Sequence, residues 1–324
     1  MRIVVLDGYT LNPGDNPWDG MKALGDFTLY DRTPVDKIIE RARDAEILVI
    51  NKVPLSGLTL EALPALKCVV VLATGYDVVD VAAAGRLGIP VCNIPAYGVN
   101  SVAQMVMALL LELCRGTGLH DASVKRGEWN RAEDWCYWLT PQRELSGMVM
   151  GIVGFGNNGR KVGELAHAFG MEVIAFTEPA GDAPGYTPFR FVDRDTLFRE
   201  AEVISLHCPL TEETRNLVNA ERIKTMRDKA FIINTARGPL INEADVAAAL
   251  HSGKLGGLGT DVLSVEPPAT DNPILKAPNT LVTPHIAWAS LHARRNIMNL
   301  AVDNIRAFMA GTPTNVINAA HLKK

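Results

Sequence analysis

The chain holds 324 residues, of which 48% are hydrophobic, 21% charged and 6% aromatic. That length favours about two domains, and the composition supports a packed core and excludes a largely disordered chain. With 32 basic and 36 acidic residues the formal charge is −4, which argues against nucleic acid or an anionic membrane as partner but not against a small anion met by a local arginine.

In the N-terminal third, short apolar runs alternate with helix-like stretches. The runs are Ile3–Leu6, Ala45–Ile50, Cys68–Ala73 and Ile89–Asn93. Their shortness and their Val and Ile content predict buried parallel strands. Thr33-Pro34-Val35-Asp36-Lys37 opens a capped helix with proline at its first position, and Asp80–Leu87 predicts another. Together they make one α/β unit. Ser101–Leu113 is almost uniformly apolar and predicts a helix buried on most sides, wedged between two domains, with Ser101 as its N-cap. From Lys125 to Glu144 a polar loop is expected, carrying Trp129, Trp135, Tyr137 and Trp138.

A second α/β unit begins at Met148. Strands are expected at Met148–Val153, Glu172–Phe176, Glu202–Leu206, Ala230–Asn234, Leu258–Asp261 and Thr280–Thr283. Helices are expected at Lys161–Phe169, Glu221–Met226 and Glu243–Leu250, with a Pro- and Gly-rich loop from Pro179 to Pro188. A last helix, Leu291–Met309, is stopped by Gly311-Thr312-Pro313.

Between the first strand and first helix of this unit lies Gly154-Phe155-Gly156-Asn157-Asn158-Gly159. In a GxGxxG turn one glycine allows the tight bend, one admits a pyrophosphate to the backbone, and one permits helix–strand contact. The helix N-terminus then holds the phosphates. Gly154, Gly156, Asn157, Asn158 and Gly159 are therefore expected to bind a dinucleotide. Asn158 stands where an apolar residue normally packs, so a looser helix start is expected. The end of the next strand decides between NAD and NADP. Thr177 occupies the position usually taken by an acid, and Glu178 follows it. Either Glu178 binds the ribose hydroxyls and favours NAD, or Thr177 leaves room for NADP with Arg190 or Arg194 at its phosphate.

Three further residues follow predicted strand ends: Arg237, Glu266 and His285. The carboxyl ends of parallel strands converge on a ligand crevice, so these residues are expected to meet in space. Reduction of a 2-keto acid needs a proton donor at the carbonyl oxygen, and histidine titrates near neutrality. Glu266 is placed to fix the imidazole tautomer and keep the proton available. Arg237 suits a bidentate clamp on a carboxylate. Singly, each has a plain structural reading; their joint placement with the phosphate-binding turn favours an enzyme.

The cysteines Cys68, Cys92, Cys114, Cys136 and Cys208 are odd in number and include no CxxC. Free thiols in a reducing compartment, the cytoplasm, are expected. The opening Met1–Asp7 does not suit a signal peptide, and no transmembrane span is expected. The seven histidines show no HExxH or Cys/His ligand spacing, so no metal is expected.

With these motifs in hand, the sequence resembles the D-isomer-specific 2-hydroxyacid dehydrogenases, in particular their glycerate dehydrogenase (hydroxypyruvate reductase) branch. The resemblance rests on Ala73-Thr74-Gly75-Tyr76-Asp77, Gly88–Gln104, Gly154–Gly159, His207-Cys208-Pro209-Leu210-Thr211, Asn234-Thr235-Ala236-Arg237-Gly238 and Thr283-Pro284-His285-Ile286-Ala287-Trp288. It implies a Rossmann domain, residues 100–289, inserted into a flavodoxin-like outer domain of residues 1–99 and 290–324. It implies that Arg237 binds substrate, Glu266 orients His285, and His285 is the acid/base. Thr74, Gly75 and Tyr76 match a loop whose amides bind the substrate carboxylate. Asp261 matches the residue holding the nicotinamide carboxamide. Gln104, Cys208, Pro209, Thr214, Thr235, Ala236 and Ala287 match cofactor-lining positions. A homodimer whose domains close over the cofactor cleft is implied as well.

The expected substrates are D-glycerate and hydroxypyruvate, with glyoxylate as a further one. Lys52 either adds positive charge for such a polar acid or is an ordinary exposed lysine. Trp135–Trp138 either caps the substrate or makes an aromatic dimer contact. Two departures from the family pattern touch the hinge surface. Ala96 replaces a glycine, and Gly98-Val99-Asn100 replaces a more polar stretch. The rival reading is an NAD(H)-binding corepressor or redox sensor on the same fold, which fold alone does not separate from an enzyme. No appended tail or basic patch favours it.

Overall fold

A computed structural model describes residues 1–179 and 181–322. Ala180, inside the expected Pro179–Pro188 loop, and Lys323 and Lys324, at the end of the expected outer domain, lie outside the described residues. The chain divides into two compact units, Met1–Gly98 with the segment from Ala289, and Val99–Trp288.

The first unit is built on five parallel strands: β1 (Arg2–Val5), β2 (Asp26–Leu29), β3 (Ile47–Ile50), β4 (Cys68–Val71) and β5 (Val91–Cys92). Their order is β2-β1-β3-β4-β5, the flavodoxin-like arrangement that reverses between β1 and β3. Strands β3 and β4 are wholly buried, because helices cover both faces of a parallel sheet and each apolar side chain taken from water contributes roughly 1.5–3 kcal/mol. The edge strand β2 does not stand out in the sequence. It is only partly buried, so Asp26-Phe27-Thr28-Leu29 lacks the continuous apolar run of its neighbours. Asp80 caps the helix Val81–Arg86 by accepting the Ala83 N–H at 2.9 Å. The segment after Pro34 starts as a 3-10 turn, Val35–Lys37, before the helix Ile38–Ala42.

The second unit carries seven parallel strands: β6 (Val149–Val153), β7 (Glu172–Phe176), β8 (Phe189–Phe191), β9 (Val203–Leu206), β10 (Ala230–Asn234), β11 (Leu255–Thr260) and β12 (Thr280–Val282). The order β12-β11-β10-β9-β6-β7-β8 is doubly wound, with its reversal between β6 and β9. The molecule is thus an α/β protein of two parallel-sheet units, the second doubly wound in the Rossmann-like manner. Strand β11 begins three residues earlier than Leu258, because Gly256 and Gly257 hide its start. Those glycines answer to packing: a Cβ on Gly257 would lie 2.9 Å from Leu113 Cδ2, and one on Gly259 2.9 Å from Leu109 Cβ. The helix Val99–Arg115 therefore lies directly on the backbone of β11.

That helix starts two residues before the expected Ser101. Ser101 is not its cap; it sits inside the first turn, and its Oγ donates to the carbonyl of Ala287 at 2.6 Å. Four helices absent from the sequence reading, Asp19–Lys22, Gly57–Glu61, Thr117–Lys125 and Arg194–Glu200, are short, with four to nine residues each. The segment after Lys125 is a loop apart from one 3-10 turn, Trp129–Arg131. The helix Leu291–Met309 is capped by Ser290, which accepts the Ala293 N–H. Among the described residues no single helix is long and apolar enough to cross a membrane.

Candidate active site

Strand β6 ends at Val153 and the helix Asn157–Ala168 follows, so Gly154–Gly156 make the whole turn. Gly154 has φ +92°, and a Cβ there would stand 2.6 Å from both Cys208 N and His207 C. A Cβ on Gly159 would stand 2.1 Å from Gly154 O. Gly156 is the opposite case: a Cβ would meet nothing within 4 Å, and the residue is exposed. The bend and the helix packing thus require two of the glycines, while the third keeps an open approach to the helix N-terminus. No side chain caps that terminus, which leaves its N–H groups and positive end for an anion. Asn157 is exposed and Asn158 half-buried. The apolar anchor comes instead from Phe155, buried against Phe189 at 5.0 Å between ring centroids.

Beyond β7, Thr177 is half-buried and Glu178 exposed. Arg190 is bound by Glu200 and lies 3.5 Å from Glu172. Arg194 sits beside the strand end, its guanidinium carbon 5.9 Å from the Phe176 ring centroid.

The loop after β9 carries Cys208, Pro209 and Thr214. Burial pushes the Cys208 thiol up to about 11, so it is neutral at ordinary pH. Thr214 Oγ1 donates to Pro209 O at 2.7 Å and accepts the Thr211 N–H at 2.7 Å. Its hydroxyl thereby knots the loop. His207, preceding them, lies with Nε2 2.8 Å from Ser205 Oγ, and desolvation of its ring pushes its pKa down to about 4.

After β10, the buried Asn234 donates from Nδ2 to Arg237 O at 2.9 Å and accepts the Ala236 N–H at 3.1 Å. This closes the turn that presents Thr235, Ala236 and Arg237. Arg237 Nη1 donates to Ala236 O at 2.7 Å. Gly238 packs so closely that a Cβ would lie 2.0 Å from the Leu263 carbonyl carbon. The loops after β10 and β11 are therefore in backbone contact, and the Arg237 turn lies against the segment leading to Glu266.

Glu266 and His285 meet directly: Glu266 Oε2 is 2.6 Å from His285 Nδ1. Oε1 of the same carboxylate accepts the Leu263 N–H at 3.1 Å, which fixes its orientation. Both side chains keep an exposed fraction, 26% for His285 and 37% for Glu266. His285 is held at φ +56°, a left-handed conformation unfavourable for a residue with a Cβ. The restraint comes from Asp261, buried at the end of β11. Its Oδ1 accepts the Thr283 hydroxyl at 2.5 Å and the Ile286 N–H at 2.9 Å, its Oδ2 accepts the Ala287 N–H at 2.7 Å, and its carbonyl accepts the His285 N–H at 2.8 Å. Trp288 Nε1 adds a bond to His285 O at 2.8 Å. The sequence reading missed Trp288 and Thr283 as supports; the signal was their places three and two residues from His285.

Gln104 is exposed on the second turn of the helix Val99–Arg115, and Ala287 is buried. The remaining expected residues lie in the first unit. Lys52 is exposed in the turn after β3. Thr74, Gly75 and Tyr76 follow β4, with Thr74 Oγ1 donating to Ile94 O at 2.8 Å.

A dinucleotide fits the second unit on its own geometry. The Gly156 opening leads to an uncapped helix, and Thr235 Oγ1 is a buried hydroxyl with no hydrogen-bond partner among the described residues. A buried hydroxyl of this kind calls for a polar group to complete it.

Comparison with known proteins agrees with this reading. The model of the D-isomer specific 2-hydroxyacid dehydrogenase NAD-binding domain matches residues 107–287. The chain is 47% identical over 321 residues to a hydroxypyruvate reductase of Blautia hydrogenotrophica, covering 98% of this chain and 100% of that one. It is 43% identical over 286 residues to a glycerate dehydrogenase of Methylorubrum extorquens, covering 88% and 89%. The Aquifex aeolicus D-lactate dehydrogenase, solved with NAD and lactic acid, superposes with a TM-score of 0.83 at 28% identity, over 96% of each chain.

Proposed function

The chain belongs to the D-isomer specific 2-hydroxyacid dehydrogenase family, and from that footing we propose that it interconverts D-glycerate and hydroxypyruvate, with glyoxylate as a further substrate. The coarser activity, NAD(P)-dependent oxidation and reduction of 2-hydroxy and 2-keto acids, follows from the family. The observation that carries the chemistry is the 2.6 Å contact between Glu266 and His285. The substrate rests on likeness along the full chain to a hydroxypyruvate reductase.

The cofactor, when bound, supplies the hydride that reduces C2 of the keto acid. His285 delivers a proton from Nε2 to the oxygen that becomes the hydroxyl. Glu266 accepts the Nδ1–H, fixes that tautomer and balances the imidazolium. Arg237 pairs with the substrate carboxylate and polarises the carbonyl. In the reverse direction neutral His285 takes the hydroxyl proton. For the first unit we propose substrate binding by the amides of Thr74, Gly75 and Tyr76 and by Lys52.

Gly154, Gly156, Asn157, Asn158 and Gly159 would hold the pyrophosphate. Cys208, Pro209, Thr235, Ala236, Asp261 and Ala287 would line the nicotinamide half, with Gln104 nearby. NAD is the preferred cofactor, with Glu178 toward the ribose hydroxyls and Arg190 already paired. Arg194 is the cation left for a 2′-phosphate. A cytoplasmic homodimer completes the reading, supported by five free thiols and by the exposed Trp135 and Trp138.

The test is absorbance at 340 nm with NADH or NADPH and a panel of hydroxypyruvate, glyoxylate, pyruvate and 2-oxoisocaproate. Saturable oxidation of NADH, best with hydroxypyruvate, is expected. Preference for another keto acid would move the substrate; NADH binding without turnover of any would shift the function to a sensor.

A further inference from the structure

Within the second unit, the loop that carries His285 is gripped from two sides. On one side Asp261, at the end of β11, accepts the N–H groups of Ile286 and Ala287 at 2.9 and 2.7 Å. On the other, the carbonyl of the same Ala287 accepts the hydroxyl of Ser101 at 2.6 Å, from a residue 186 positions earlier in the chain. Ala287 is buried, and each of its main-chain polar groups is committed to a different grip. A serine at a helix start has the chemistry of a cap, accepting an N–H of the first turn. Ser101 donates to a distant carbonyl instead.

The way the helix Val99–Arg115 lies on β11 explains how Ser101 reaches the loop. Leu109 covers Gly259 and Leu113 covers Gly257, so the helix runs against the direction of the strand. Four helical residues rise about 6 Å and two strand residues about 6.6 Å, so the two elements keep step. Ser101 precedes Leu109 by two further helical turns, about 12 Å, which carries it past the carboxyl end of β11. There it meets the loop after β12. Both grips are therefore registered on one strand, through Asp261 at its end and through a helix seated on its glycines.

We propose that Ser101 is a positioning residue for proton transfer: its bond to the Ala287 carbonyl fixes the loop from which His285 acts as acid/base. The inference rests on the acid/base reading above and extends it to the helix. Asp261 holds the loop along one edge, about which it can pivot; the Ser101 hydroxyl holds the second edge and stops the pivot. His285, two residues from Ala287, is left-handed at φ +56° and needs such restraint to stay so. A displacement of about 1 Å at a reacting group costs up to about 10² in rate, so loss of this bond reads out in turnover. The glycine turn is not touched, so cofactor binding is spared.

The experiment compares Ser101→Ala and Ser101→Thr with the wild type in hydroxypyruvate reduction, and places Ser101→Ala also in a His285→Ala background. Alanine removes the donor; threonine keeps a hydroxyl. In Ser101→Ala, kcat is expected to fall at least about fivefold, with KM for hydroxypyruvate and NADH affinity by fluorescence little changed. Ser101→Thr is expected to recover most of the lost kcat. In the His285→Ala background, Ser101→Ala is expected to lower turnover no further, because the serine acts only through that histidine. A merely structural serine would slow both backgrounds equally. Unchanged kcat in Ser101→Ala, or the same loss repeated without His285, would overturn the proposal even where thermal stability falls. Wild-type protein that reduces no 2-keto acid would overturn the acid/base reading itself, a result distinct from either.

Discussion

The carboxylate of Asp261 accepts the backbone N–H of Ala287 at 2.7 Å, two residues beyond the left-handed His285. A buried acid at the end of β11 thus sets the backbone of the loop after β12 that carries His285. Its oxygens also take the Thr283 hydroxyl and the Ile286 N–H. The proposed acid/base sits in a conformation that its own sequence disfavours, and the neighbouring strand supplies the restraint.

Asp261→Asn turns one of those acceptors into a donor whichever way the amide lies. A buried mismatch of this kind costs about 1–3 kcal/mol. We predict a lower unfolding temperature and turnover at least about tenfold lower, since small displacements of a catalytic group are costly. Thr283→Val removes only one donor and is expected to have the smaller effect on both.

His285→Ala removes the proposed proton donor. Turnover is expected to fall by about 10²–10⁴, the usual worth of general acid catalysis, while NADH binding by fluorescence titration stays near wild type. Near-normal turnover in this variant would contradict the assigned role.

Much of this was legible in the sequence, and the exceptions have physical causes. The glycine turn, Arg237, Glu266 and His285 follow strong strand patterns, so their places could be read. Strands β2 and β8 lie at sheet edges, where half-exposed sequences such as Phe189-Arg190-Phe191 carry no apolar run. Ser101 has the chemistry of a cap, but its hydroxyl is used by Ala287, far away in sequence. The hydrogen bonds from the Asn51, Lys52 and Val53 N–H groups to Asp7 were invisible for the same reason, since these partners lie 44 to 46 residues away.

Ala96 illustrates a departure whose consequence only geometry reveals. It adopts φ +55° and is exposed, where glycine would be unstrained. Removing the Cβ relieves about 1–2 kcal/mol of left-handed strain, partly offset by about 0.4–1 kcal/mol from the freer unfolded chain. Ala96→Gly is predicted to raise the unfolding temperature by about 1–3 °C in a thermal melt.

His207 makes a pH prediction. Its pKa in the folded protein is about 4, set by desolvation, against 6.5 for the unfolded chain. As pH falls through 6.5 the unfolded state takes up the proton first. The stability contributed by the neutral ring is therefore complete above pH 6.5 and is lost as pH falls toward 4, by up to about 3 kcal/mol. Urea titrations across that window are expected to show this slope reduced in His207→Gln.

The central claim is hydride addition at C2 with a proton delivered by His285. Hydroxypyruvate reduced with NADH deuterated on the transferable C4 position tests it, with the glycerate analysed by chiral chromatography and mass spectrometry. D-glycerate bearing one deuterium at C2 is predicted. L-glycerate, or D-glycerate without deuterium at C2, would contradict the account.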